Sequence, residues 1–202
     1  MYRRVSQSGS VSVMLEAMRP SRLRFVFSMI LPLLLGFTFN LKTGTVTYTA
    51  EDASDSWQGV TPLEKVTLTR TENGLGITGM LEPGNFSSGN FARDANARFT
   101  VFNTGEFPIA TLEGTLPLAA PLLETQASGT ATATFRGTLT LHGVTRDVGF
   151  PVKVARDGTE ATAEGSFAVL LSDYKMKRPN FFGNEVKDEV ELNVSLTGTF
   201  AP

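Results

Sequence analysis

The chain has 202 residues, no cysteine and one histidine, and its 18 basic and 20 acidic residues give a formal net charge of −2. This composition excludes disulfide bridges, zinc–thiolate sites, cysteine nucleophiles and three-histidine metal sites. The slightly acidic balance also supplies no basic surface for nucleic acid, and the length predicts one domain after an N-terminal segment is set aside.

The N-terminal segment, residues 1–43, has the order of a secretory signal. Three arginines between residues 19 and 24 precede the apolar stretch Phe25–Phe39, and polar residues follow it. This order is typical of a signal peptide, with Met18 as a candidate true start. The apolar stretch is shorter than the ~20 residues of a usual membrane-spanning helix. We therefore expect export to the periplasm or the medium. Because no Ala-x-Ala cleavage site is evident, an uncleaved anchor near the membrane remains an alternative.

Residues 44–202 form the predicted domain, and their apolar residues recur with a period of two, as in strands with one buried face. The clearest run is Gly129–His142, in which apolar residues alternate with threonines and one arginine. At ~3.4 Å per residue this strand would span roughly 45 Å, which exceeds the thickness of an ordinary domain core. Similar alternation occurs at Val46/Tyr48, Val66/Leu68, Val148–Val154, Ala161–Val169 and Val190–Leu196.

Turn signals separate these strands. Asn73-Gly74, Gly143 and Asp157-Gly158 each predict a tight hairpin. Residues 86–98 break the two-residue period and are predicted to contain one short helix. Many strands at hairpin spacing with a single helix predict an all-β fold, an extended antiparallel barrel that is closed or nearly closed.

Two motifs associated with chemistry are better explained as structure. Gly74–Gly79 matches the letters of the dinucleotide-binding motif GxGxxG, but a strand follows it instead of the helix that the motif requires. His142 is a candidate base for a Ser-His-Asp set with Ser172 and Asp173, yet the chain has no GxSxG nucleophile elbow, so we interpret it as a turn residue. We therefore predict no catalytic residue, no metal site, no cofactor and no enzymatic activity.

Four stretches of the chain resemble the YceI-like family of exported bacterial proteins. The strongest is residues 137–148, GTLTLHGVTRDV, which is similar to the family hairpin G-x-L-T-[LV]-[RH]-G-V-T-[RK]-x-V. Residues 86–112 carry the family order R-D followed by F-P, residues 171–192 carry S-D-Y followed by V-K-D-E-V, and residues 47–59 match more weakly. The resemblance covers about residues 45–200.

This resemblance implies a lipocalin-like barrel around an apolar tunnel that holds a polyisoprenoid, a quinone or a fatty-acid-like ligand. Many family members carry histidines in the first strand region and an arginine before the Ser-Asp pair. This chain instead has AEDASD at residues 50–55, in the first strand region, and Leu171 at the position before the Ser-Asp pair. These departures leave the headgroup preference of the ligand open.

Alternation assigns one face of each strand to the interior, and these residues are the candidate ligand contacts. They are Val46, Tyr48, Phe135, Leu139, Leu141, Phe150, Phe167, Leu192 and Val194. We expect Phe91, on the predicted helix, to cover the mouth of the interior. The predicted function is an exported protein that sequesters or carries a long amphiphile. The alternative is a non-catalytic interaction module of the cell envelope with a solid core, and a hydrolase based on His142 is a distant third. The sequence leaves the oligomeric state open.

Overall fold

A computed structural model describes residues 38–124, 127–181 and 183–201, and within these residues the chain is mostly antiparallel β-structure. The strands are β1 Thr38–Glu51, β2 Ser56–Pro62, β3 Lys65–Thr71, β4 Gly74–Leu81, β5 Ala110–Leu116, β6 Ser128–Leu141, β7 Val144–Asp157, β8 Glu160–Leu170, β9 Asn180–Phe181, β10 Asn184–Glu185 and β11 Glu189–Ala201. Short β9 and β10 pair only with each other, whereas the remaining nine strands form one sheet.

The nine-stranded sheet has the order β2-β1-β11-β8-β7-β6-β5-β4-β3 and curls into a half-barrel. Its two edges, β2 and β3, are consecutive in the chain and are joined by Leu63 and Glu64. The Leu63 N–H donates to the Gly44 carbonyl of β1, and the Glu64 N–H donates to the Met80 carbonyl of β4, each at 2.9 Å. This link bridges both sheet edges at one end, so the predicted antiparallel barrel architecture is confirmed.

The long predicted strand is present with the expected length and register. β6 has 14 residues, and all of them pair with β7 across a two-residue hairpin. The turn consists of His142 and Gly143, with φ angles of 50° and 72°. Positive φ at both positions is the requirement of a type I′ turn, whose twist matches the flanking strands. His142 is therefore a turn residue, as predicted.

The hairpin between β3 and β4 is also present, but its turn lies one residue earlier than expected. Thr71 pairs with Gly74, so the turn residues are Glu72 and Asn73, and Gly74 is already the first residue of β4. The strand that follows confirms that Gly74–Gly79 belongs to a hairpin.

The predicted short helix is α1, Phe91–Asn96, and it continues as a single π-helical turn, Ala97–Val101. Its N-cap is Asn90, whose side-chain oxygen accepts a hydrogen bond from the Arg93 N–H at 3.1 Å. Together α1 and the π turn form the segment 91–101, which we call the roof. Single 3₁₀ turns occur at Pro83–Asn85, Ala120–Leu123 and Ser172–Tyr174.

The sheet begins earlier than the domain boundary predicted at residue 44. Thr38 pairs with Ala201 and Phe39 with Phe200, so residues 38–43 belong to β1 and not to the N-terminal segment. Polar and apolar residues alternate from Thr38 to Lys42, and a register irregularity lies between Leu41 and Thr43. Residues 1–37, which include Met18 and most of the predicted signal sequence, lie outside the described residues. In the part of the chain that is described, no helix is long and apolar enough to cross a membrane.

Candidate functional site

The concave side of the sheet and the roof enclose the larger of two apolar cavities, which has a volume of about 200 Å³. We call it the main cavity. Eight strands, β1–β6, β8 and β11, contribute its walls, and the inner face of the roof contributes Arg93, Asn96, Ala97 and Val101. These four residues lie at i, i+3, i+4 and i+8, the spacing that places side chains on one helix face. The cavity lining is almost entirely hydrocarbon.

A second cavity of about 90 Å³, the small cavity, lies toward the opposite end of the same interior. Leu75, Leu116, Val152 and Val154 are part of its lining, together with Leu118, Leu122 and Leu123 from the segment 117–124 that follows β5. Phe135, which is 1% exposed, and Phe150 also line it. The small cavity is thus surrounded by the best-packed side chains of the protein.

Two phenylalanine rings stand where the cavities approach each other. Phe150 lines the small cavity and Phe167 lines the main cavity, and their rings stack with centroids 4.2 Å apart and an interplanar angle of 11°. Ile77, Leu112 and Val194 line both cavities. The two cavities are therefore adjacent, and the stacked rings of Phe150 and Phe167 form part of the partition between them.

The structure divides the ten candidate ligand contacts between the two cavities and the outer surface. Val46, Tyr48, Leu139, Leu141, Phe167, Leu192 and Val194 line the main cavity, whereas Phe135 and Phe150 line the small one, which Val194 also reaches. The position of Phe91 does not agree with its expected place at the mouth. This side chain is 89% exposed and lines neither cavity, because it lies on the outer face of the roof.

Polar groups in the main cavity are concentrated near the roof. Arg93 is the one charged side chain among the lining residues, and its guanidinium carbon lies 4.6 Å from the centroid of the Trp57 ring. Burial raises the pKa of Tyr48 far above its usual value, while Arg93 and a hydrogen bond with Trp57 act in the opposite direction. Asn96 also lines the cavity, and its buried Oδ1 has no hydrogen-bond partner among the described residues.

The small cavity has a basic residue of a different kind. Arg156 is 6% exposed, and its guanidinium donates to the backbone carbonyls of Leu122, Glu124 and Gly158 at 3.2, 3.4 and 2.7 Å. It also stacks on the ring of Phe200 at 4.2 Å. Burial lowers the pKa of Arg156, but an arginine remains charged at any physiological pH. Arg156 holds the segment 117–124 onto the end of the sheet.

The residues considered for a Ser-His-Asp set form hydrogen bonds with other partners. His142 Nδ1 lies 3.0 Å from the carbonyl of Tyr174, and the Ser172 hydroxyl donates to Asp188 at 2.5 Å. Hydrogen bonds from the hydroxyl and the backbone N–H of Ser172 lower the pKa of Asp188. Within the described ranges the structure brings together neither a Ser–His pair nor a group of three His, Asp or Glu side chains able to hold a metal ion.

Sequence reasoning did not identify the polar residues of the roof, although a signal for them was present. Arg93 and Ala97 are spaced as one helix face within the stretch where a helix was predicted, and Arg93 belongs to the R-D pair of the family motif. Trp57 belongs to the weakest of the four family stretches, residues 47–59, but its contact with the roof could not be predicted, because it reaches the roof from β2 through the curl of the sheet.

Comparisons with known proteins agree with this architecture. The model of the YceI-like domain matches residues 20–198. A polyisoprenoid binding domain from Saccharophagus degradans, implicated in plant cell wall breakdown, superposes with a TM-score of 0.65 at 15% identity, covering 82% of this chain and 98% of that one. BcnA from Burkholderia cenocepacia superposes with a TM-score of 0.62 at 18% identity, covering 77% and 96%.

Curated protein sequences gave no significant match, and at these identities the similarity to solved structures concerns the fold alone. The family model, in contrast, spans nearly the whole chain and includes every strand of the curled sheet. The chain belongs to the family of proteins with a YceI-like domain.

Proposed function

We propose that this protein is an exported lipid-binding protein that holds a polyisoprenoid or a similar long amphiphile in the main cavity. The observation that carries the proposal is an interior cavity of about 200 Å³ lined by apolar side chains from eight strands and the roof. An apolar cavity of this kind stays dry and favours apolar guests. The Saccharophagus degradans domain of similar fold is described as polyisoprenoid binding, which supports the same ligand class here.

The energetics of hydrocarbon burial are sufficient for useful affinity. Transfer of ten methylene groups from water into the cavity contributes roughly 8 kcal/mol, at ~0.8 kcal/mol each. Association and ordering of the chain cost several kcal/mol of this, so ten methylene groups alone leave binding near the millimolar range, and micromolar binding requires a longer buried chain. The proposed function therefore requires no catalytic group, and we propose a carrier or storage role instead of an enzymatic one. Quinones and fatty-acid-like molecules are further candidate ligands of the same physical type.

The alternative, an interaction module of the cell envelope, requires a solid interior with small inward residues facing large ones. The main cavity argues against it. Export of the protein is part of the proposal and depends on the N-terminal segment, whose basic and apolar regions have the order of a signal peptide.

A direct test is to purify the full chain gently, extract it with organic solvent and analyse the extract by mass spectrometry, followed by titration of the extracted protein with an apolar fluorescent probe. We expect a co-purified lipid and saturable uptake of the probe. An extract without lipid, together with no uptake of the probe, would contradict the proposal.

Gly79→Phe provides a specific block of the main cavity. Gly79 lines the cavity, and a Cβ added there meets only Leu112, at 4.0 Å, so a ring at this position can enter the empty space. Gly149→Phe is the matched control, because Gly149 is an exposed strand glycine outside both cavities. We expect Gly79→Phe to abolish uptake of the probe and Gly149→Phe to leave it unchanged. Equal uptake by both variants would show that the ligand does not occupy the main cavity.

A further inference from the structure

The polar groups beneath the roof have no role in holding a purely apolar chain. We propose that the main cavity binds an amphiphile with an anionic headgroup, a phosphate or a carboxylate, whose charge is bound by Arg93 with a second hydrogen bond from Tyr48. This inference rests on the proposed lipid-binding function and adds to it the chemistry of the polar end of the ligand.

Arg93 is placed as an anion-binding side chain. It is the one charged residue among those that line the main cavity, and it takes part in none of the four ion pairs formed by the described residues. Its contact is with the Trp57 ring, at 4.6 Å from guanidinium carbon to ring centroid. A stacked guanidinium uses its face and keeps its in-plane N–H groups for hydrogen bonds. These groups match the paired oxygens of a phosphate or a carboxylate.

The nearest carboxylate in the chain does not occupy this arginine. Asp94 follows Arg93 directly, but its Oδ1 accepts hydrogen bonds from the backbone N–H and the hydroxyl of Ser88, at 2.8 and 2.5 Å. Asp94 is absent from the residues that line the main cavity, although its negative charge helps to raise the pKa of Tyr48. Asp52 is also within electrostatic reach of Arg93, whose charge helps to lower its pKa, but neither carboxylate forms an ion pair with the arginine.

Tyr48 and Asn96 add hydrogen-bonding groups at the same end. The hydroxyl of Tyr48 stays protonated because burial raises its pKa, and its hydrogen bond with Trp57 leaves the hydroxyl proton for an acceptor in the cavity. The Asn96 side-chain amide presents an unpartnered buried oxygen, and rotation of that amide by half a turn would present its NH₂ group instead. An oxyanion headgroup is able to accept hydrogen bonds from Arg93, Tyr48 and Asn96.

The apolar remainder of the cavity strengthens this preference. An ion pair inside a region of low dielectric is much stronger than the same pair in water. The hydrocarbon chain of the ligand, which excludes water from the cavity, would therefore increase the attraction between its own headgroup and Arg93. The hydrocarbon chain of such a ligand matches the apolar lining of the cavity, and its headgroup matches the polar residues beneath the roof.

The test compares two probes with the same chain, geranylgeranyl monophosphate and geranylgeraniol, by isothermal titration of the full-length protein. We expect the wild type to bind the phosphate roughly 10- to 100-fold more tightly than the alcohol, the range of a charge-assisted hydrogen-bonded pair. Arg93→Met should remove this preference while the affinity for geranylgeraniol changes by less than about twofold, and Arg93→Lys should retain part of it. Tyr48→Phe should reduce the preference by about fivefold.

Arg98→Met is the matched control, because Arg98 lies in the roof but does not line the main cavity, and its loss changes the net charge equally. It should retain the full preference. A parallel pair, palmitate and hexadecanol, distinguishes a carboxylate from a phosphate headgroup, and a preference in either pair supports the inference. Equal affinity for charged and uncharged probes, or a preference that survives Arg93→Met, would overturn the inference alone. Failure to bind any of the four probes would overturn the proposed function as well.

Discussion

The two cavities of this protein each contain one arginine, and the surroundings of the two side chains are opposite. Arg156 is 6% exposed, and three backbone carbonyls accept its hydrogen bonds. Arg93 lies over the Trp57 ring and faces a cavity about twice as large. An arginine whose Nη groups donate to backbone carbonyls stabilises the chain, whereas one whose guanidinium stacks on a ring keeps donors with which to bind something else. We therefore interpret the small-cavity end as structural and the main-cavity end as functional.

The largest expected effect is on stability, and it should differ between the two arginines. Arg156→Met removes the donors to Leu122, Glu124 and Gly158 and should lower the free energy of unfolding by about 2–4 kcal/mol. Arg93→Met should lower it by less than about 1 kcal/mol, the usual range for a side chain without such bonds. Urea unfolding followed by circular dichroism measures both.

Arg136→Met serves as the control for Arg156→Met, since Arg136 is an exposed residue of β6. If Arg93→Met destabilised the protein as much as Arg156→Met, both arginines would be structural and the distinction between the two ends would be lost.

The next effect concerns the partition between the cavities. Phe167→Ala removes the ring that stacks on Phe150 and should connect the two spaces. In a series of alcohols of increasing length, affinity should rise until the chain fills the available space. The variant should reach this limit at a longer chain than the wild type, with about tenfold tighter binding for two further buried methylene groups.

Val169→Ala is the matched control for Phe167→Ala. It lies two residues further along the same face of β8 and lines only the main cavity. It should enlarge the cavity without shifting the limiting chain length. The same limiting length in both variants would show that the stacked rings do not separate the cavities.

The smallest effect is a loss of stability in alkaline solution, and it should originate in the main-cavity half. Burial raises the pKa of both Tyr48 and Tyr174, whereas no tyrosine lines the small cavity. In the unfolded chain these hydroxyls ionise near about pH 10. Above that pH, ionisation therefore stabilises the unfolded state, and the free energy of unfolding falls as the pH rises toward the folded-state pKa.

Unfolding in urea at several pH values measures this slope. Tyr48→Phe and Tyr174→Phe should each make the slope above about pH 10 shallower, and the double variant should make it shallower still. A slope that does not change in Tyr48→Phe would contradict the burial of that hydroxyl beneath the roof.

Much of the fold could be predicted because the local pattern and the tertiary structure agree along the long strands. β6 alternates over its whole length and β7 from Val148 onward, and a His-Gly pair in a type I′ turn, which suits such a hairpin, joins them. Alternation also assigned nine of the ten candidate contacts to residues that line one of the cavities. Their role in ligand binding remains a prediction.

The errors occurred where a regular pattern stops. Phe91 was assigned to the mouth because an aromatic residue on a helix near the interior resembles a lid. The helix has only six residues, and its orientation depends on tertiary contacts, such as that of Arg93 with Trp57 of β2, which its composition does not encode. The start of β1 was missed because Phe39 was assigned to the apolar stretch of the signal segment and Asn40 and Lys42 to the polar region after it, although pairing with β11 makes residues 38–43 a strand.

The sequence by itself determined the antiparallel sheet, its hairpins, the apolar inner faces and the family, because each depends on a period of two or on contiguous motifs. Only the tertiary structure decided how the interior is divided. Whether two inward-facing rings touch, as Phe150 and Phe167 do, depends on the curl of the sheet between β7 and β8. The position of Arg93 over Trp57 likewise joins residues of two elements 36 positions apart in the chain, and no local pattern encodes that contact.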